Sequence, residues 1–171
     1  MDIKIRKAVP ADAQNVAAFT RKSFHESFAD QNTKENMDKF MSRFSADVLA
    51  AEVEDPNNIF YLAVENDTIA GYIKLLPSLH PILDNDQKSI EICRIYVDKS
   101  RIGQGIGNIL MKQAFETASD LGVKTVWLGV WEHNSNAISF YKKWGFERFS
   151  EHIFMLGDDP QIDWLLKKVL P

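Results

Sequence analysis

The chain has 171 residues, a formal net charge of −4 and a single cysteine, Cys93. A chain of this length buries roughly 70% of its unfolded surface, enough for one core, so we expect one domain over residues 1–171. The charge argues against broad nucleic-acid binding, the lone cysteine excludes an internal disulfide and suits a reducing cytoplasm, and no run approaches the ~20 apolar residues that span a bilayer.

The first half of the chain mixes strand and helix signals. Pro10, with Asp12 close behind, suits the first turn of a helix, and Asn66-Asp67 is a hairpin signal between two β-branched runs. In chain order we predict a strand, three helices and two strands at 3–6, 10–24, 34–44, 46–53, 59–65 and 69–76.

The second half repeats a strand–helix order. Apolar residues recur at helical spacing from Ile106 to Leu121, and Gly122 is a suitable stop. Asn134 opens a further helix, and a final hairpin turns at 158–160. The strands of this half are predicted at 90–97, 124–131, 147–156 and 161–170.

The strand at 90–97 has an irregular apolar pattern. Ile90 and Ile92 share one face by parity, whereas Ile95 and Val97 share the other. The alternation slips near Cys93, which a β-bulge would explain. The alternative is a strand buried on both faces, where parity carries no information.

A glycine-rich turn, Arg-Ile-Gly-Gln-Gly-Ile-Gly at 101–107, joins this strand to the next helix. Bare backbone N–H groups at a helix N-terminus favour a phosphate. The turn is not a P-loop, because Asn108 follows Gly107, and it is not a Rossmann turn, because Leu110 occupies the place of a third glycine. A flexible turn without a ligand is the alternative at this point.

A second motif lies downstream: Asn134-Ser-Asn-Ala-Ile-Ser-Phe-Tyr-Lys-Lys-Trp-Gly-Phe146 follows the strand at 124–131. Together with the glycine turn it resembles the GCN5-related N-acetyltransferase (GNAT) family. The glycine turn is similar to that family's acetyl-CoA pyrophosphate loop. One departure is visible, since the family usually has Gln or Arg where this chain has Ile102, with Arg101 just ahead.

The resemblance implies a mixed α/β fold in which about seven strands form one sheet, splayed between the fourth and fifth strands and flanked by helices. It implies acetyl-CoA as co-substrate. The four histidines show no metal-ligand spacing, and no metal is expected. The residues that the resemblance assigns to acetyl-CoA are Ile95, Tyr96, Val97, Gly103, Gln104, Gly105, Ile106, Gly107, Asn108, Asn134, Asn136 and Lys143.

Several of these residues also have explanations that involve no ligand. At least one of Asn134 and Asn136 should cap the helix that starts there. Lys143, near the C-terminus of that helix, is favourable there without a phosphate.

Acetyl transfer to an amine needs a base, because an aliphatic amine with a reference pKa of ~10.4 arrives as an ammonium ion. Glu91 is the first candidate and Glu132 the second, although exposed glutamates are common. By resemblance, Tyr141 donates a proton or hydrogen bond to the CoA sulfur. The alternative for Tyr141 is an ordinary core tyrosine beside Phe140.

The stretches 127–146 and 91–97, and more loosely 30–37, resemble bacterial PaiA-type polyamine acetyltransferases. That resemblance implies spermidine or spermine as acceptor, bound by carboxylates along a groove: Asp84, Asp86, Glu91 and Glu132. Trp131 should line the same cleft. Acetylation of a protein or peptide and a non-catalytic acetyl-CoA-binding regulatory module are the alternatives. No nucleic acid or membrane partner is expected, and a homodimer stays open.

Overall fold

The computed structural model describes residues 2–78 and 88–171. Their strands are β1 (Lys4–Lys7), β2 (Ile59–Glu65), β3 (Thr68–Ser78), β4 (Ser89–Val97), β5 (Thr125–Trp131), β6 (Glu147–Leu156) and β7 (Asp159–Val169). The seven strands form one sheet in the order β1-β2-β3-β4-β5-β7-β6. Only β4 and β5 are parallel; every other neighbouring pair is antiparallel. The predicted mixed seven-stranded sheet is confirmed.

Helices cover both faces of the sheet. They are α1 (Ala13–Phe28), α2 (Lys34–Met41), α3 (Ala46–Glu54), α4 (Ile106–Asp120) and α5 (Ser135–Lys143). One buried cluster lies between the sheet and α4 with α5, and a second lies between the sheet and α1, α2 and α3. The face that carries a site residue therefore decides which helices can reach it.

Two of the predicted helices have different boundaries in the structure. Pro10–Asp12 is a short 3₁₀ turn, and α1 continues past residue 24 to Phe28. The extension follows from packing, because Phe24 stacks on Phe40 at 4.4 Å and contacts Phe28 at 4.6 Å between ring centroids. The helix predicted to reach residue 44 ends at Met41 and is followed by a 3₁₀ turn.

The β-bulge predicted in the fourth strand is confirmed at Cys93. Lys74 pairs with Arg94 and Leu75 pairs with Ile92, so Cys93 is the extra residue of β4. After the bulge, odd-numbered residues of β4 point to the face that even-numbered residues occupy before it. Four apolar residues that simple alternation would place on two faces therefore pack in one cluster against α4: Ile90, Ile92, Ile95 and Val97.

The parallel strands separate soon after they meet. The pairing of β4 with β5 covers only Ser89–Glu91 and Thr125–Trp127. Beyond Glu91 the two strands diverge, which confirms the predicted splay between the fourth and fifth strands. Alternate backbone groups in the rest of β4 therefore face the resulting fork instead of a strand.

Gly71 fixes how closely α4 approaches this fork. A Cβ at this position of β3 would lie 2.7 Å from the Tyr96 carbonyl oxygen and 3.1 Å from the Ile106 side chain. Only glycine permits that approach, so Gly71 lets the first turn of α4 pack against the sheet beside β4.

The two predicted hairpins are present, with one shift. Asn66 and Asp67 take φ values of 48° and 62° in the β2–β3 turn. The β6–β7 turn comes earlier than predicted, because Gly157 adopts a φ of 63° and β7 starts at Asp159.

Candidate active site

The glycine turn ends in a helix N-terminus rich in free donors. Gly103 and Gly105 take φ values of 86° and 85°, and Gly105 is the N-cap of α4. Within the described residues, no acceptor pairs with the backbone N–H groups of Gly103, Gly105, Ile106, Gly107 or Asn108. Together with the positive end of the α4 dipole, these amides form a cradle for an anionic group such as a pyrophosphate.

The side chains of residues 98–102, which precede the cradle, are directed away from its backbone N–H groups or are bound to other parts of the protein. Arg101 donates to Glu65 at 2.6 Å, so its guanidinium is directed at the β2–β3 hairpin. Hydrogen bonds from Ser100 and Lys22 lower the pKa of Asp98 to about 2. Ile102, which replaces the family's usual Gln or Arg, is 69% exposed. The donors that this turn offers to an anion are therefore backbone N–H groups.

Helix α5 lies against the first turn of α4. The Trp144 Nε1–H donates to Asn108 Oδ1 at 3.1 Å, and a Cβ on Gly107 would lie 3.4 Å from the Phe140 ring. The Asn108 side chain therefore joins two helices through its Oδ1 atom.

The helix cap expected at the start of α5 is confirmed. Asn134 Oδ1 accepts a hydrogen bond from the Ala137 N–H at 3.2 Å. Asn136 and Lys143 lie on the exposed surface of α5, and Gln104 is exposed in the glycine turn with its amide 3.4 Å from the Ser100 carbonyl oxygen.

Tyr141 projects from α5 toward the fork. It is 7% exposed and packs edge-to-face on Phe140 and Phe146, with ring centroids 5.5 and 5.8 Å away. It interacts electrostatically with Tyr96 of β4, and its hydroxyl forms no hydrogen bond with any described residue. Burial raises the pKa of Tyr141, which keeps the phenol protonated at neutral pH and able to donate.

Glu91 lies where β4 and β5 begin to separate. It pairs with Trp127 on one side and with Leu76 on the other, and its side chain is half-buried. Burial raises the pKa of Glu91, although the charges of Lys74 and His152 oppose that rise. A carboxylate with a raised pKa in a cleft is a better proton acceptor than an exposed one.

The face of the sheet that carries Glu91 also holds a buried ion cluster, which was not predicted from the sequence. Arg94 donates to both carboxylate oxygens of Glu52 at 2.8 and 2.7 Å, and Lys74 Nζ lies 3.2 Å from Glu52 Oε1. Burial opposes ionisation of Glu52, but the hydrogen bonds and charges of Arg94 and Lys74 lower its pKa overall. No spacing signal links α3 to β4, so only the fold brings these residues together.

The residues predicted to bind the acceptor amine do not form one cluster among the described residues. Trp131 ends β5 and packs edge-to-face on Phe28 of α1 at 6.0 Å. Glu132 follows it, with Oε1 3.7 Å from His133 Nε2. Asp84 and Asp86 lie outside the described residues, so their proposed role stays a prediction.

The sequence from the middle of α1 to the end of the α5 motif matches a known family. The model of the Acetyltransferase (GNAT) family matches residues 21–146. The chain is a member of the GNAT family. It is accordingly an acetyl-CoA-dependent N-acetyltransferase, and the expected family, co-substrate and enzyme class are confirmed.

Individual proteins agree with this assignment. An uncharacterised N-acetyltransferase encoded in the pepI 3′ region of Lactobacillus delbrueckii subsp. lactis is 39% identical over 169 residues, covering 98% of both chains. The PaiA N-acetyltransferase of Thermoplasma acidophilum in complex with coenzyme A has a TM-score of 0.82 at 24% identity over 99% of both chains. Arabidopsis thaliana NAA60 in complex with acetyl-CoA has a TM-score of 0.74 at 15% identity over 98% of both. At such identities the two structures show that this GNAT chain shares their fold.

Within residues 2–78 and 88–171, no helix is long and apolar enough to cross a membrane, and no group of three or more His, Cys, Asp or Glu side chains is arranged to hold a metal ion.

Proposed function

We propose that this GNAT enzyme acetylates a primary amine of a polyamine such as spermidine or spermine. The observation that carries the proposal is the position of Glu91, a half-buried carboxylate at the start of the fork between β4 and β5. We also propose that residues 1–171 act as one N-acetyltransferase domain in the cytoplasm.

The cradle at Gly103–Asn108 would bind the pyrophosphate of acetyl-CoA through backbone N–H groups. The unpaired edge of β4 at Ile95, Tyr96 and Val97 would hold the pantetheine arm by strand-like hydrogen bonds. Asn134 and Asn136, at the start of α5, would contact the same arm, and Lys143 would reach a phosphate. Gln104 would shape the cradle without donating to the pyrophosphate, because its backbone N–H donates to the Arg101 carbonyl oxygen at 3.2 Å and its side-chain amide lies 3.4 Å from the Ser100 carbonyl oxygen.

In the proposed reaction, Glu91 accepts a proton from the incoming ammonium group, directly or through a water molecule. The neutral amine nitrogen can then form its bond to the thioester carbon while the carbon–sulfur bond breaks. The nitrogen releases its second proton to water, and the thiolate takes up a proton from water to give CoA thiol. Backbone N–H groups near Ile95 stabilise the developing oxyanion. Tyr141 donates a hydrogen bond to the departing sulfur, a role consistent with its protonated, desolvated hydroxyl.

The polyamine assignment draws on the PaiA-like motifs and on carboxylates at both ends of the fork. Glu91 is at its closed end and Glu132 at the end of β5 beside Trp131. Asp84 would add a further carboxylate. A cationic chain is favoured by such spaced negative charges, whereas a neutral amine gains little from them.

The test is CoA release from acetyl-CoA with spermidine, spermine, a monoamine, a lysine peptide and a peptide with a free N-terminus. We expect the highest kcat/KM for the polyamines. Preferential turnover of a peptide would replace the polyamine assignment, and acetyl-CoA binding without any turnover would support the regulatory-module alternative.

A further inference from the structure

A glycine interrupts the row of large side chains on the acceptor-facing side of β5. Trp127, Gly129 and Trp131 alternate on this face, and Gly129 is exposed although Leu128 and Val130 on either side are buried. The missing side chain opens a space between the two tryptophans.

The wall of that space is polar. A Cβ on Gly129 would lie 3.5 Å from Asp163 Oδ2 and 3.8 Å from both His152 Nε2 and Leu165 Cδ2. Asp163 pairs with Trp131 on one side and with His152 on the other, so these three residues point to the same face of the sheet. A group resting on Gly129 would therefore contact a carboxylate.

Asp163 has no permanent cation beside it. Its side chain is 15% exposed, and His152 Nε2, 3.8 Å from Oδ2, is the only basic atom within 4 Å among the described residues. That distance is too long for a hydrogen bond. A carboxylate that has lost much of its water and faces an opening favours a cation that donates hydrogen bonds.

Asp163 and Glu91 lie on the same face of the sheet. The charge of His152 acts on both carboxylates, and both lie on the side of the sheet opposite α4. Glu91 is aligned with Trp127 and Asp163 with Trp131. Asp163 on β7 lies two strands away from Glu91 on β4, and it is displaced along the sheet by the four residues from Trp127 to Trp131. Standard strand geometry therefore places the two Cα atoms roughly 16 Å apart. This separation suits a linear molecule with several positive charges better than a single ammonium ion.

We infer that Asp163 is a specificity-determining residue that binds a second ammonium group of a linear polyamine whose reacting amine lies at Glu91. The inference rests on the proposed function and extends it. The methylene chain crosses Gly129 between the two tryptophans, and the distal ammonium group donates to Asp163. Because Asp163 does not touch the reacting atoms, it acts on acceptor KM and leaves kcat unchanged.

The test compares acceptor kinetics of Asp163→Asn with those of the wild type. Loss of a hydrogen bond to a charged group should raise the KM for spermidine by about 10- to 100-fold. The KM for a monoamine and for acetyl-CoA, and kcat at saturation, should stay within about twofold. Asparagine keeps the shape of the side chain, so an unchanged melting temperature checks the fold.

Gly129→Ala provides an independent test that keeps the carboxylate. Its new Cβ meets only ordinary van der Waals distances, and Gly129 does not adopt a positive φ, so the fold should tolerate it. The methyl group should nevertheless raise the KM for spermidine.

Glu151→Gln is the matched control for the loss of a negative charge in Asp163→Asn. Glu151 lies next to His152 in β6, but its side chain is on the opposite face of the sheet and forms an ion pair with Arg148.

The outcomes separate the two proposals. If the wild type acetylates polyamines but Asp163→Asn and Gly129→Ala both keep its spermidine KM, the role of Asp163 is overturned and the proposed function stands. If the wild type does not acetylate polyamines, the proposed function itself fails. If Asp163→Asn does not fold, the KM of Gly129→Ala decides.

Discussion

The fork between β4 and β5 separates two regions built from different parts of the chain. The proposed cofactor wall, Gly103–Asn108 with the free edge of β4, offers backbone N–H groups whose positions depend on left-handed glycines and a β-bulge. The proposed acceptor wall, defined by Glu91, Trp131 and Asp163, offers side chains from three different strands.

This difference indicates which region we expect to set the specificity for the acceptor amine. A backbone cradle needs glycine at fixed positions and tolerates an isoleucine at 102, where the family usually has a polar side chain. A surface of side chains changes its chemistry with a single substitution, so we expect acceptor preference to be set by the proposed acceptor wall. We therefore expect mutations to separate the two walls cleanly, one set acting on acetyl-CoA binding and the other on acceptor turnover.

The largest expected effect is on the acceptor wall. Glu91→Gln should lower kcat by about 10³-fold, because the neutral amide cannot accept the ammonium proton. Burial raises the pKa of Glu91 in the folded protein, so its ionised form destabilises the fold at pH values above its unfolded pKa. Steady-state kinetics should show the lost turnover, and thermal unfolding at neutral pH an equal or higher melting temperature.

The pH profile of the wild type provides the control for this substitution. Turnover should fall as the pH drops through the raised pKa of Glu91, so the acid limb of kcat should lie above the ordinary glutamate value of ~4.3. An acid limb that persists unchanged in Glu91→Gln would assign the base to another group, with Glu132 the next candidate.

Tyr141→Phe should have a smaller effect, about 10²-fold on kcat, with acetyl-CoA affinity unchanged. A thiolate leaves fairly well without protonation, since its thiol has a pKa of ~8.5. Kinetics of the purified variant with acetyl-CoA and its preferred amine would measure the loss.

Tyr72→Phe is the matched control, because both tyrosines are buried but, among the described residues, only the Tyr72 hydroxyl has a hydrogen-bond partner. Thr20 Oγ1 donates to the Val16 carbonyl oxygen, so the Tyr72 hydroxyl donates to Thr20 Oγ1 at 2.7 Å. Tyr72→Phe should lose about 1 kcal/mol of stability and keep its kcat. Full activity in Tyr141→Phe would return Tyr141 to the role of a core residue.

Much of the cofactor wall could be predicted from the sequence, because its determinants are local. Glycines, a helix start and a shift in strand parity lie within a short stretch, and each restricts the backbone directly. The Asn134 cap and the position of Tyr141 on α5 follow from the same kind of local pattern.

The ion cluster at Glu52 and the position of Asp163 depend on contacts that no local pattern encodes. Glu52 meets Arg94 across 42 positions, and Asp163 lies next to β5 only because β7 lies between β5 and β6. The exposed Gly129 could have been noticed, since an isolated glycine in a strand signals a close approach or an opening. The extension of α1 escaped prediction because the packing of Phe24 and Phe28, and not helix propensity, sets its length.

The smallest effect on turnover, but the clearest on binding, should come from the cofactor wall. Gly105→Val should weaken acetyl-CoA binding by about tenfold or more. Although open space surrounds Gly105, its φ of 85° strains a β-branched residue. At saturating acetyl-CoA, kcat should recover most of its value.

Gly122→Val is the control for backbone strain. Gly122 follows the C-terminal end of the same helix with a φ of 64° and equally open surroundings. Both variants should lose stability, but only Gly105→Val should lose acetyl-CoA affinity. Equal affinities in the two would show that the cradle does not bind the pyrophosphate.

The most direct test of the division between the two walls is calorimetric titration of acetyl-CoA into the wild type, Gly105→Val and Glu91→Gln. The structure predicts that Gly105→Val weakens the Kd by about tenfold or more, whereas Glu91→Gln keeps the wild-type Kd within about twofold despite its lost turnover. A wild-type Kd in Gly105→Val, or a tenfold weaker Kd in a folded Glu91→Gln, would contradict the separation of cofactor wall from acceptor wall.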